Sequence, residues 1–209
     1  MPPPRSFPEI LEKLAEPSNL SKERALYDLL QWAKKDPSIH AKAIPIFEDI
    51  ANTSRSVYTL GIAIDGIALI RGLHDAQPRR LALLADADVS LIRLGLGALG
   101  RSGDAAMLPA IAAKLQHPEL AVRIDAVTAL GRLRTPDVVP ILAECLETAD
   151  LRPHAVDALA ATRDPRAMEF LAKLLDDRTP AWPIDNHGPM MTVGEVAADA
   201  LARLRNSGR

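Results

Sequence analysis

"VRIDAVTALGRLRTPDVVPILAECL", residues 122–146, reads as two helices joined by a tight turn. Val122, Ala126, Ala129 and Leu130 recur at helical spacing, which makes one face of the first helix apolar. Thr135-Pro136 is a helix start, a hydroxyl placed to cap and a proline whose missing N–H costs nothing in the first turn. The second helix, beginning at "VVPILAECLE", sets Leu142 inward. A lone hairpin of this kind cannot bury its apolar face, so it must stack on neighbours.

The neighbours are in the sequence. "LIRLGLGALGRS" from Leu91 places Ala98-Leu99-Gly100 one step of roughly 30 residues ahead of Ala129-Leu130-Gly131. "LRPHAVDALAAT" from Leu151 places Ala158-Leu159 a like step beyond Ala129-Leu130, and "IDGIALIRGL" places Ala68-Leu69 a like step before Ala98-Leu99. Asp104 and Asp164-Pro165 take the place of Thr135-Pro136, Leu171 matches Leu142, and Pro109 matches Pro140. Self-similarity at so steady a period signals a repeat architecture. The last copy, "VGEVAADALARL", breaks the period: Ala200-Leu201 arrive about a dozen residues later than the earlier steps from Ala158-Leu159 would place them. The excess falls in "RTPAWPIDNHGPMMTVGE", 178–195, between the second helix of one repeat and the first helix of the next. It is expected to be a loop that ends at Thr192, whose Thr-Val-Gly-Glu forms a capping box with Glu195.

The N-terminal quarter is helical but less regular. Ser6-Phe7-Pro8-Glu9 reads as a capping box, followed by Ile10, Leu11 and Leu14 on one face. "SKERALYDLLQWAKK" turns Leu26, Leu29, Leu30 and Ala33 inward, and "PSIHAKAIPIFEDIAN" forms another helix bent at Pro45. The expected organisation is one domain over 1–209. Capping helices span 1–52, regular repeats 53–177, the inserted loop 178–192 and a C-terminal capping helix 193–209.

Composition agrees. Aromatic residues make up 3% of the chain, and Ala and Leu predominate, which suits close helix–helix contact. The net charge of −2 provides no broad basic footprint for duplex nucleic acid, so a nucleic-acid partner is disfavoured. A single cysteine, Cys145, allows no intrachain disulfide and suits a reducing compartment. The N-terminus does not read as a secretory signal. The run "LGIAIDGIALI" falls well short of the ~20 residues of a membrane span. A cytoplasmic protein without a membrane partner is the expectation.

Residues 122–146 resemble a HEAT-like repeat of the short bacterial, phycobilisome-lyase type. Val122-Arg123, Ala126, Ala129-Leu130-Gly131 and the second-helix leucines carry the resemblance. It runs from about Ala87 to Asp177 and continues less closely through 56–86 and 193–204. It implies an all-α fold, a right-handed α-solenoid of stacked HEAT-like helical hairpins whose second helices line a concave face. It also implies structural bridges from Arg123 and Arg152, although Ile92 and Gly194 stand at the matching positions in other copies. Proteins of this type act as adaptors, assembly factors or toxin-neutralising immunity proteins. The resemblance also implies two alternatives, a bilin-lyase-like accessory protein and a HEAT-like DNA-binding or DNA-repair protein.

The chain shows no recognisable reacting constellation. The five histidines are scattered, none shares zinc-ligand spacing with Cys145, and no His-Glu pair of the HEAT-like di-iron hydroxylases occurs. "GLGALG", 95–100, lies inside a repeat helix, where glycines permit close approach rather than cradle phosphate. Cys145 occupies an apolar register position and reads as a buried, inert thiol. No catalytic residue, cofactor or metal is therefore expected. A protein partner of unspecified identity is expected, bound by a non-catalytic scaffold. Its candidate contacts are Arg79, Arg80, Asp137, Glu144, Arg166 and Lys173 on the second helices, and Trp182, Asp185, Asn186 and His187 in the insertion. For the insertion two readings stand: a lid packed on the last repeat, or a loop presented to the partner.

Overall fold

A computed structural model describes residues 6–16, 18–133, 135–183 and 190–207. The fold is an all-α solenoid of stacked helical hairpins, and the chain forms two compact units, Met1–Ala85 and Asp86–Arg209.

The first unit contains α1 (Phe7–Ala15), α2 (Asn19–Lys35), α3 (His40–Thr53), α4 (Val57–Arg71) and α5 (Leu73–Leu83). Ser6 and Glu9 close the expected capping box at the start of α1. Ile10 is buried, but Leu11 is 45% exposed. Adjacent helical positions diverge by about 100°, so the narrow apolar stripe of this short helix cannot hold both. Leu26, Leu29, Leu30 and Ala33 are buried as their spacing demands. Phe47 fills the centre of this core. A Cβ at Gly66 would stand 2.6 Å from its ring, so α3 and α4 approach this closely only with glycine there.

The second unit alternates long and short helices. The first helices are α6 (Val89–Ser102), α8 (Leu120–Leu133) and α10 (Arg152–Thr162). The second helices are α7 (Leu108–Ala112), α9 (Val138–Cys145) and α11 (Ala167–Ala172). α12 (Val193–Ser207) packs on α10 and α11. Val122, Ala126, Ala129 and Leu130 are all buried at the seams where α6, α8 and α10 pack in series. Gly100 and Gly131 set the spacing. A Cβ on Gly100 would meet the Ala129 Cα at 2.8 Å, and one on Gly131 the Ala158 Cα at 2.8 Å. The close-approach reading of "GLGALG" holds at Gly100 but not at Gly97, whose Cβ would meet only the Arg101 guanidinium.

The second helices are shorter than their sequence pattern suggests. α9 stops at Cys145 and α11 at Ala172, and each finishes in tightened turns with i→i+3 bonds, such as Thr148 N–H to Cys145 O and Leu174 N–H to Leu171 O. Asp104 and Asp164 open theirs as expected, accepting from the Ala106 and Arg166 N–H groups at 3.0 and 2.9 Å.

The insertion is not a plain loop. Pro180–Pro183 (β1) and Met190–Thr192 (β2) pair as an antiparallel ribbon, and the expected Thr192–Glu195 capping box starts α12. No helix among the described residues is long and apolar enough to cross a membrane.

Candidate functional site

The second helices of the second unit present one continuous set of positions. At matching register stand Ala106, Asp137 and Arg166; Ala113, Glu144 and Lys173; and Gln116, Glu147 and Asp176. All nine are exposed. The run on α7 is neutral, that on α9 is acidic, and α11 brings Arg166 and Lys173.

These side chains are not equally available. Arg166 is held at the turn: its Nη2 donates to Asp164 Oδ2 at 2.6 Å and to the Pro136 carbonyl of the preceding repeat at 2.9 Å. The Arg166 guanidinium holds the Asp164 carboxyl below its usual range, and the same bonds raise Arg166. Lys173 reaches Glu169 at 3.0 Å and lies 5.5 Å above the Phe170 ring. Asp137 and Glu144 stand exposed on α9.

The other candidates separate. Arg79 and Arg80 belong to α5 in the first unit, and only Arg79 is part-exposed. The Arg80 side chain is 4% exposed and faces Asp65 at 3.7 Å, so it does not form a surface pair with Arg79. The reason is register: Ala76, Arg80 and Leu83 share the buried stripe of α5. Trp182 has its backbone in β1. Its side chain, and Asp185, Asn186 and His187 entirely, lie outside the described residues.

The two expected bridging arginines share one contact. Arg152 Nε donates to the Leu146 carbonyl at 2.6 Å, and Arg123 Nη1 to the His117 and Pro118 carbonyls at 2.9 and 2.8 Å, so each braces the loop before its own helix. Arg152 Nη1 also reaches Asp177, at the end of its own repeat, at 3.3 Å. Gly194 lacks the arginine because the returning chain leaves no room: a Cβ there would stand 2.5 Å from the Leu175 carbonyl. Arg93–Asp125 and Arg203–Asp157, both 2.6 Å, join neighbouring first helices from positions the repeat pattern does not single out. Burial, with the Glu144 carboxylate beside it, pushes the Cys145 thiol up, which lowers its share of the nucleophilic thiolate.

Sequence reasoning also passed over Arg101, Arg132 and Arg163. They sit at the C-terminal ends of α6, α8 and α10, and all three are exposed. Arg101 and Arg132 share one cleft of about 350 Å³ with Gly100, Gly103 and Ala161. The signal was present in the Gly-Arg pair that closes both "ALGR" copies. In the first unit, a cleft of about 400 Å³ opens among Lys22, Glu23, Asp49 and Arg55, with charges of both signs.

Two family models match the chain. One for HEAT repeats covers residues 76–152, and one for the PBS lyase HEAT-like repeat covers residues 152–177. No curated protein matches the sequence. Among solved structures, one engineered protein is 17% identical with a TM-score of 0.53, covering 95% of this chain and 96% of its own. A second engineered protein is 18% identical with a TM-score of 0.53, covering 97% and 99%. YibA of Escherichia coli is 18% identical with a TM-score of 0.57; the match covers 94% of this chain and 66% of YibA. At such identities the likeness speaks to the fold alone. The period, the glycine-set helix spacing and both family matches identify residues 76–177 as HEAT-like repeats.

Proposed function

We propose that this protein is a non-catalytic scaffold that binds another protein along the second-helix face of its repeats. One observation carries the reading. The nine register positions on and around α7, α9 and α11 are all exposed, and their charge changes from one helix to the next. A surface that repeats in geometry but varies in chemistry suits recognition of one shaped, mixed-charge partner. Asp137 and Glu144 supply acidic contacts on this face, Lys173 a basic one. Arg166 fixes the turn that aligns α9 with α11. The solitary, buried thiol of Cys145 suits work in a reducing bacterial cytoplasm.

The test reverses charge at Asp137, Glu144 and Lys173 in the full chain and measures recovery of protein partners from native cells by quantitative mass spectrometry. Recovery should fall while the melting temperature stays within about 2 °C, because exposed substitutions of this kind change stability little. Undiminished recovery by the variant, or no specific partner for the unaltered chain, would sink the reading.

A further inference from the structure

The arginines of the second unit divide by what holds them. Arg93, Arg152, Arg166 and Arg203 each face a carboxylate, and Arg123 is spent on two backbone carbonyls. Arg101, Arg132 and Arg163, like Arg178 and Arg205, form no ion pair within the described residues. All three lie at the same end of consecutive first helices. Two of the three nearby acids are otherwise occupied, since Asp104 caps Ala106 and Asp164 holds Arg166, while Asp137 stands exposed at the start of α9. This edge therefore carries guanidinium groups that the fold does not pair.

Geometry concentrates them. Glycine contacts draw α6, α8 and α10 close together, so Arg101 and Arg132 wall one cleft. Arg163 sits one helix further on, two residues past that register, where α6 has Gly103. Its φ of 57° is a left-handed cap that favours glycine, yet the residue is arginine. Strain retained at an exposed charge points to a use for that charge.

We propose that Arg101, Arg132 and Arg163 bind an extended acidic segment of a partner protein, with carboxylates at about every third residue. Packed helices lie about 8–10 Å apart, and a polyproline II chain has three residues per turn and rises about 3.1 Å per residue, so every third side chain returns to the same face and meets the next arginine. A guanidinium grips a carboxylate through two parallel N–H groups, and the cleft between Arg101 and Arg132 leaves room for the chain. Asp104, Asp137 and Asp164, interleaved along the edge, oppose a continuous phosphate backbone but leave discrete carboxylates their places. The proposal does not require the second-helix face to be occupied.

The test is fluorescence anisotropy with labelled synthetic peptides and the full chain. The peptide carries glutamate at every third residue in a Gly/Ser background. The controls are the same composition with its glutamates adjacent, a lysine version, and oligo-dT. The spaced acidic peptide should bind most tightly and weaken steadily with added salt. R101Q and R132Q should each weaken it about threefold, as expected for exposed charge pairs. R101A/R132A/R163G should weaken it by about tenfold or more. E144R/K173E should still bind, which separates this edge from the second-helix face. Helical circular dichroism and salt dependence accompany each variant, so loss of fold cannot pass for loss of binding. Three results overturn the proposal: equal binding of adjacent and spaced glutamates, tighter binding of oligo-dT, or variants that lose helix stability while peptide affinity stays unchanged. The last would make these arginines caps for helix C-terminal dipoles.

Discussion

Arg163 is the residue whose backbone and side chain disagree. At φ 57° its Cβ crowds the following carbonyl, whereas Gly103 takes the equivalent cap at φ 66° without that clash. Arg163→Gly should therefore raise stability by about 1 kcal/mol in urea unfolding, even as it removes a charge from the arginine edge. An unchanged or lower midpoint would show that the guanidinium stabilises its own repeat. His154 makes a second prediction. Burial holds its pKa below the ordinary value near 6.5, although the Asp157 and Asp125 carboxylates pull the other way. The unfolded chain thus takes up this proton more readily than the folded one, so stability should fall as pH drops below about 6.5. Asp177 is lowered chiefly by its Thr179 hydrogen bonds, with Arg152 adding to them, and Asp164 by Arg166. Their contribution is lost only in the more acidic carboxylate range, so the two windows separate. His154→Gln should flatten the stability–pH slope between about pH 7 and 5 and leave the acid limb unchanged. An unaltered slope would assign the effect to another group.

At the scale of elements, glycine content and helix spacing can be separated by substitution. Gly131 and Gly97 look alike in the sequence, each inside a repeat helix. A methyl at Gly131 would enter the Ala158 backbone, whereas one at Gly97 meets only the movable end of Arg101. Gly131→Ala should cost about 1–3 kcal/mol through overpacking, and Gly97→Ala should be neutral or gain up to about 1 kcal/mol of helix propensity. Equal effects on thermal melting would refute glycine-set spacing. The same contrast shows what the residue pattern could and could not reveal. Ala98-Leu99-Gly100 and its copies predict the seam, because burial imposes the helical period on every copy. Which of two glycines touches the next helix depends on rotation about the helix axis, which neither glycine encodes alone. The insertion divides similarly. Its start is legible as a lost register and its end as Thr192–Glu195. The ribbon is not, because Pro180 and Pro183 bound a strand of four residues, too short to show alternation. Those prolines are tolerated because both strands of a two-stranded ribbon are edges.

For the whole molecule, the repeat period foretold the solenoid, whereas the surface was legible only in part. The second-helix positions were found by register, since Leu142 and Leu171 lock their neighbours outward. Arg80 was misplaced because a charged side chain on an otherwise polar helix gives no sign of facing inward. Arg101, Arg132 and Arg163 were passed over because charges at helix ends are common, and what distinguishes these is their shared end of consecutive first helices and the cleft between Arg101 and Arg132. A stack of repeats stabilised by nearest-neighbour contacts need not open everywhere at once. Cys145 reports on this as the chain's single thiol, 6% exposed and raised in pKa, on α9 in the middle of the second unit. If the second unit opens cooperatively, alkylation of Cys145 should stay negligible until helical circular dichroism is lost, and the two urea midpoints should coincide. If α9 and its turns open alone, labelling will begin at lower urea while most helix signal remains. The i→i+3 bonds that close α9 are weaker than regular helical ones and expose few residues when broken. Against that, Val138, Val139 and Leu142 are at most 2% exposed, so freeing Cys145 breaks the packing of α9 on α8, α10 and α11. Burial outweighs the weak turns, and we expect coincident midpoints; early labelling would show that the tightened turns set the local stability of the array.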